Sequence, residues 1–252
     1  GFEDAADDCP TVVGTSSLGT DGCIDSDGDL WSDTTDDCPT EAGNSTEGGL
    51  NACPDQDGDG WADSIDDMPM DPTVWSDLDD DGFGDNLGGT PADACPQTPG
   101  TSTADRYGCV DADGDGYSTP TEDWGVDSGA DAFPSDSTQW SDFDEDGFGD
   151  NYGNASWTDR PENWVGIFVD GAQNQDACPM QPGTSWRNGI LGCPDSDGDG
   201  WWDVQDAFPT EATQHSDVDG DGFGDNQSGV NADACPNICL LYTSDAADEL
   251  CR

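Results

Sequence analysis

Residues Asp195–Asp206 read DSDGDGWWDVQD, with acids at the first, third, fifth, ninth and twelfth places and a glycine at the sixth. Close copies start at Asp25, Asp55 and Asp111, and a shorter form, DxDxDGFGDN, starts at Asp77, Asp142 and Asp217. A chain with 58 acids, four basic residues and a formal charge of −54 gains nothing in water from crowding carboxylates this closely. Left bare, the acids of one loop repel each other and raise each other's pKa. A hard divalent cation reverses that balance, because calcium takes six to eight oxygens at about 2.3–2.6 Å.

The spacing suits such an ion. Alternate acids at positions 1, 3 and 5 curl around one centre only if the backbone turns sharply, which glycine at position 6 permits. Position 7 offers its carbonyl and leaves its side chain free, while positions 9 and 12 close the shell. In the complete loops these places are Asp25, Asp27, Asp29, Trp31, Asp33 and Asp36, then Asp55, Asp57, Asp59, Trp61, Asp63 and Asp66. The third complete loop has Asp111, Asp113, Asp115, Tyr117 and Glu122, with Thr119 at position 9, and the fourth has Asp195, Asp197, Asp199, Trp201, Asp203 and Asp206. The short loops supply Asp77, Asp79, Asp81, Phe83 and Asp85; Asp142, Asp144, Asp146, Phe148 and Asp150; and Asp217, Asp219, Asp221, Phe223 and Asp225. None has an acid at position 12, and the DAC that follows each offers Asp93, Asp176 and Asp233 instead, beside a cysteine. Seven loops predict at least seven calcium ions. Glycine at position 6 in six of the seven argues against a merely solvated acidic spacer. Leu30 is the exception, so the Asp25 site is expected to be the weakest complete one.

Leu, Ile, Val and Phe make only 32 of 252 residues. A fraction below about a fifth with a large net charge ordinarily means disorder. Eleven cysteines and ten tryptophans argue otherwise, and leave disulfides and bound cations as the substitutes for an apolar core. Cys9–Cys23, Cys38–Cys53, Cys95–Cys109 and Cys178–Cys193 lie 14, 15, 14 and 15 residues apart, while the intervals between pairs vary. Each short interval is expected to be closed by its own bridge, although sequence alone leaves the connectivity open. Cys235 is then left over, its partner expected beyond this chain. Disulfides on this scale imply an extracellular or cell-surface setting. The chain starts at Gly1 without methionine and reads as an internal fragment. The run Cys239–Glu249, CLLYTSDAADE, resembles translated sequencing adapter, so 238–252 is set aside as an artefactual tail.

The remainder divides into a first acidic repeat with two disulfide loops (1–52), paired-loop repeats at 53–108 and 109–192, and a truncated one at 193–237. The third carries an insert at 151–176 containing WVGIFVD, which is expected to form a small hairpin or a packing insert. No apolar stripe of helical period can be traced. The expected fold is irregular: an elongated repeat array held by calcium and disulfides, with at most short β segments.

The pattern resembles thrombospondin type 3 repeats, in the form found in microbial surface proteins. The residues that carry the likeness are DQDGDGWADSID at Asp55, DVDGDGFGDN at Asp217, the DACP that follows, and the recurrent cysteines. The resemblance implies an extracellular array wound around a line of calcium ions, with more than one ion possible per repeat. EF-hands and dockerins share the D-x-D-x-D-G core but need flanking helices that are not readable here. Thiolates are not clustered for zinc.

Aromatic residues at position 7 are read as packing groups, with carbohydrate stacking as the functional alternative. Asn44, Asn154 and Asn226 head N-x-S/T triplets that could carry glycan. His215 falls where Trp75 and Trp140 stand in other repeats, so it is a repeat-position ring and not a catalyst. No cleft-building pattern points to an enzyme. The charge repels nucleic acid and anionic membranes, and no run is long enough to span a bilayer. The expected function is a calcium-stiffened structural stalk or spacer. The alternative is a calcium-dependent adhesion module that binds a surface protein or glycan, with Trp157 and Trp164 of the insert as its contact.

Overall fold

The computed structural model describes residues 6–86, 88–89, 91–156 and 164–237, so the tail at 238–252 and Trp157 of the insert lie outside the described residues. Two compact units divide the chain, Gly1–Asp111 with Gly116–Ser118 and Ala112–Asp115 with Thr119–Arg252. Among the described residues regular structure is limited to single 3-10 turns at Val126–Ser128 and Arg187–Gly189. Six single-residue parallel bridges, such as Leu18 with Trp31 and Asp176 with Leu191, complete it. The irregular fold expected from the sequence is the observed one. Its cause is local: backbone N–H groups are turned inward onto aspartate oxygens and serine hydroxyls, so few remain for ladders.

The interior is polar. Among the described residues the buried apolar ones are five cysteines, three alanines, Val74 and Tyr152, whereas the largest fully buried side chains include Gln139, Gln214, Asn151, Asp131, Asp150 and Asp176. Large apolar side chains stand outside, Met70 at 77 % and Val204 at 75 % exposure. Such an interior holds together through hydrogen bonds and bridges, since buried apolar area is nearly absent.

Four disulfides join Cys9–Cys23, Cys38–Cys53, Cys95–Cys109 and Cys178–Cys193, the pairing expected from the intervals. Cys235 is also disulfide-bonded, whereas the intervals left it without a partner within this chain. Every loop so closed reads C-P-x3-G-x-S, and the structure shows why. The serines Ser16, Ser45, Ser102 and Ser185 are fully buried. Their hydroxyls accept the N–H of the second cysteine at 2.8–3.1 Å. The glycines Gly14, Gly43, Gly100 and Gly183 lie against that cysteine's backbone, where a Cβ would fall within 1.8–2.0 Å. Each disulfide loop is thus a small closed unit with a serine for its centre.

A second unit follows the acidic loops that no cysteine closes. Gln139 and Gln214 are buried and bridge backbone on both sides, Gln214 Nε2 donating to Asn226 O and Val230 O at 3.0 and 2.9 Å. Val74 fills the equivalent place in the repeat before them. These side chains explain the second glycine of the short loops, because a Cβ on Gly84, Gly149 or Gly224 would lie 2.0–2.2 Å from them. The asparagine of GDN pins the same region, with Asn151 and Asn226 donating Nδ2 to Thr138 O and Thr213 O.

The run Trp164–Asp170 forms no hairpin. Phe168 meets Tyr152 in one parallel bridge. The buried Tyr152 is flanked by Trp164, edge-on at 6.4 Å, and by Phe168 at 5.9 Å. The apolar run covers one ring instead of building a sheet.

Candidate metal centres

Each acidic loop is organised by its own first carboxylate. Asp195 accepts Gly198 N–H and Gly200 N–H, both at 2.8 Å, and Asp55 and Asp217 do the same with the residues three and five ahead. The position-5 acid then accepts the N–H of position 7, as in Asp59 to Trp61 and Asp199 to Trp201, both 2.8 Å. These bonds curl the loop so that the triplet carboxylates converge. Oxygens of Asp25, Asp27 and Asp29 lie within 4.8 Å of one another, as do those of Asp55, Asp57 and Asp59, of Asp77, Asp79 and Asp81, and of Asp142, Asp144 and Asp146. In the loop at 111–122, Asp111 Oδ2 accepts Gly116 N–H at 2.9 Å.

Position 9 accepts the N–H of position 2 in both loop types, from Leu78 to Asp85 and from Val218 to Asp225 among the short loops. Asp33 and Asp203 each use both oxygens on the serine at position 2, Ser26 and Ser196, and so brace the loop. Asp63 takes the same bond from Gln56 N–H. In the short loops Asp85, Asp150 and Asp225 keep a buried Oδ1 with no hydrogen-bond partner. Those three are free to face an ion directly.

The closing acids share one geometry. Oδ1 of Asp36, Asp66, Asp93, Asp176, Asp206 and Asp233 accepts the N–H two residues ahead at 2.6–2.7 Å. Asp176 is fully buried, and Asp36, Asp66, Asp206 and Asp233 are at most 8 % exposed. The other oxygen of Asp93, Asp176 and Asp233 is buried without a hydrogen-bond partner. The same holds for Oδ2 of Asp27, Asp57, Asp59, Asp197 and Asp219 and for both oxygens of Asp79 and Asp144. Burying a carboxylate oxygen unpaired costs several kcal/mol by rough count unless a cation or proton compensates it.

In the metal-free chain burial shifts several of these acids toward the protonated form. Burial, then the charges of Asp146, Asp144 and Asp150, pushes Asp176 up to about 8. Burial, then Asp146 and Asp142, pushes Asp144 up to about 6. Burial also raises Asp57, Asp66, Asp93, Asp197 and Asp206.

The rings at position 7 pack within the repeat. Trp61 stacks on Trp75 at 5.9 Å and 6°, and Trp201 stacks on His215 at 4.6 Å and 9°. Phe83 lies against Tyr107, and Trp31 against Gly19. His215 is therefore a stacking ring, as its repeat position implies.

Asp131, which the position count passes over, shares the geometry of the closing acids. Glu122 at the counted place is exposed. Asp131, nine residues on, is 1 % exposed and accepts Phe133 N–H at 2.7 Å, which is the geometry of Asp206 with Phe208. The signal was present: every closing acid stands in D-x-x-P, and DAFP recurs at 131–134 and 206–209.

No protein-family model matches the chain, and no curated protein matches it either. The repeated aspartate triplets and four disulfides fit a calcium-binding repeat.

Proposed function

We propose that this chain is a calcium-binding structural stalk or spacer of a secreted or cell-surface protein, related to thrombospondin type 3 repeats. The observation that carries the reading is the set of buried carboxylate oxygens without hydrogen-bond partners, gathered in loops whose first acid is held by backbone N–H groups. Hard oxygen donors in that number suit calcium better than a softer metal. The residues that would hold the ions are the triplet acids, the position-7 carbonyls, Asp85, Asp150 and Asp225, and the closing acids including Asp131. Bound cations would supply the charge neutralisation that lets these acids share an interior. The role is mechanical, not catalytic. Seven divalent ions offset only about a quarter of the formal charge of −54, so the surface stays acidic, soluble and poorly suited to nucleic acid. Four disulfides agree with an oxidising, extracellular setting. Among the described residues no helix is long and apolar enough to cross a membrane.

Small-angle scattering and near-UV circular dichroism of the full chain, in millimolar calcium and in chelator, test the reading. Calcium is expected to give a defined particle that expands on chelation; identical profiles would refute it. Exposed Ile167 and Phe168 of the insert favour a second reading, calcium-dependent adhesion to a surface protein or glycan. Deleting 151–176 discriminates: lost cell-surface binding with unchanged binding of the other calcium ions supports adhesion, and unchanged binding supports a spacer.

A further inference from the structure

We propose that three of these calcium centres are coupled to the redox state of the disulfide that follows each of them, and that the coupling runs through two hydrogen bonds from one disulfide loop. The proposal rests on the calcium reading above and assigns a regulation to it.

The centres are Asp25–Asp36, Asp77–Asp93 and Asp142–Asp176, each ending two residues before a bridged cysteine. That cysteine's N–H donates to the closing acid, Cys38 to Asp36 and Cys95 to Asp93 at 2.6 Å and Cys178 to Asp176 at 2.7 Å. Five residues later the glycine of C-P-x3-G-x-S donates to Oδ2 of the position-5 acid. Gly43 reaches Asp29 at 3.1 Å, Gly100 reaches Asp81 at 2.8 Å, and Gly183 reaches Asp146 at 2.9 Å. Those glycines are held in place by the second cysteine, whose backbone sits where their Cβ would be. In two of the centres the residue before the second cysteine also covers both acids. A Cβ on Gly108 would lie 2.1 Å from Asp93 Oδ1 and 3.2 Å from Asp81 Oδ2, and one on Gly192 would lie 2.1 Å from Asp176 Oδ1 and 3.1 Å from Asp146 Oδ2. One bridge thus fixes two ligands of one ion.

The centres at Asp55–Asp66 and Asp195–Asp206 lack this arrangement. Their closing acids accept from Met68 and Phe208, where no sulfur can be opened. Asp59 keeps Oδ2 without a hydrogen-bond partner.

Reduction by a dithiol moves two electrons. One thiolate attacks a cysteine sulfur, the second closes the reductant's own disulfide, and two cysteine thiols are left. Opening the loop releases the glycine from the second cysteine and unfastens both acids from their donors. Linkage is reciprocal, so the factor by which reduction weakens calcium is the factor by which calcium opposes reduction.

Cys9–Cys23 is the internal reference. It has the same construction and Cys9 N–H donates to Asp7 at 2.8 Å, but no aspartate triplet precedes Asp7 in this chain. Among the described residues it touches the centre after it, through Ser17 and Leu18 N–H to Leu30 O and Thr15 Oγ1 to Asp25 Oδ2 at 3.3 Å, without a bond to that centre's closing acid.

The test treats the full chain with limiting dithiothreitol in calcium or in chelator, traps thiols with iodoacetamide, and maps each pair by mass spectrometry. Calcium is expected to slow reduction of Cys38–Cys53, Cys95–Cys109 and Cys178–Cys193 on the order of ten-fold, and of Cys9–Cys23 by less than about two-fold. Equal protection of all four bridges, as global stabilisation would give, overturns the coupling, and so does protection of none. Bound calcium is measured in the same samples by equilibrium dialysis. No bound calcium overturns the calcium reading together with this one, whereas bound calcium without selective protection overturns the coupling alone.

Discussion

Leu30 offers the sharpest test of how these loops bind. Its φ is 85°, and the glycines at the same place, Gly60, Gly82, Gly116, Gly147, Gly200 and Gly222, span 91–103°. An L side chain in that left-handed region costs about 1–2 kcal/mol. The strain shows in the bond it must make: Leu30 N–H reaches Asp25 Oδ2 at 3.3 Å, whereas the six glycines reach their first acid at 2.8–3.0 Å. Leu30→Gly removes the strain but adds about 0.5–1 kcal/mol of backbone entropy in the unbound loop. The leucine is 49 % exposed, so little packing is lost. The net gain is about 0.5–1 kcal/mol, which is roughly two- to five-fold in calcium affinity at this loop. Hydrogen exchange of the full chain across a calcium series, resolved by peptide, reads each loop separately. In the wild type the 25–36 peptide is expected to reach half-protection at higher calcium than the 55–66 peptide. Leu30→Gly should lower that midpoint two- to five-fold and leave 55–66 in place. An unchanged or higher midpoint would show that the left-handed residue does not limit binding.

Three further outcomes follow from the same geometry. Gly224→Ala sets a Cβ 2.0 Å from the Gln214 amide, and should cost about 1–3 kcal/mol in calcium-saturated thermal unfolding; no loss would mean Gln214 is not the bridge it looks to be. Asp131→Asn should remove one high-affinity calcium ion by calorimetry, whereas Glu122→Gln should remove none; the reverse result would restore the counted position. Stability should also depend on pH with opposite sign in chelator and in calcium. Asp176 and Asp144 sit at about 8 and about 6, above the unfolded 3.8, so the metal-free fold holds extra protons and loses about 1.4 kcal/mol per proton per unit as pH rises through that window. With calcium the same carboxylates must be deprotonated to bind, and stability should rise from pH 5 to 7.5. Matching signs in thermal melts would refute the assignment.

The acidic loops were legible in sequence because their geometry is local. Twelve residues contain the turn and the bonds that set it, so counting positions from Asp195 reaches Asp199, which accepts Trp201 N–H, and buried Asp206, which accepts Phe208 N–H. The closing acids of the short loops were legible for a different reason: Asp93, Asp176 and Asp233 stand beside a cysteine that marks them. Asp131 has no such marker. Its loop is stretched, and counting twelve residues from Asp111 lands on exposed Glu122. The polar interior was not legible either. The burial of Gln139 and Gln214 depends on a glycine ten residues away in each case, Gly149 and Gly224, and no periodicity relates the two. The sequence left the run Trp164–Asp170 open between a hairpin and a packing insert, and the second holds: strand propensity needs a neighbouring strand, and here the neighbour is the ring of Tyr152.

On the calcium reading, the insert moves the proposed closing acid of the Asp142 loop far along the chain. Asp77 and Asp93 are 16 residues apart, Asp142 and Asp176 are 34. Loop closure grows only with the logarithm of length, so the longer connection costs about 0.6–0.7 kcal/mol more. Against that small cost the insert brings Tyr152, Trp164 and Phe168 over the centre, and Trp164 Nε1 donates to Asp150 O at 3.1 Å. Asp150 and Asp176 end at 2 % and 0 % exposure, deeper than the paired acids of any short loop without an insert. Deeper burial excludes water from the ion and strengthens every oxygen around it. The insertion therefore deepens the centre it interrupts, and the Asp142–Asp176 site is expected to be the last to release calcium when the ion is withdrawn.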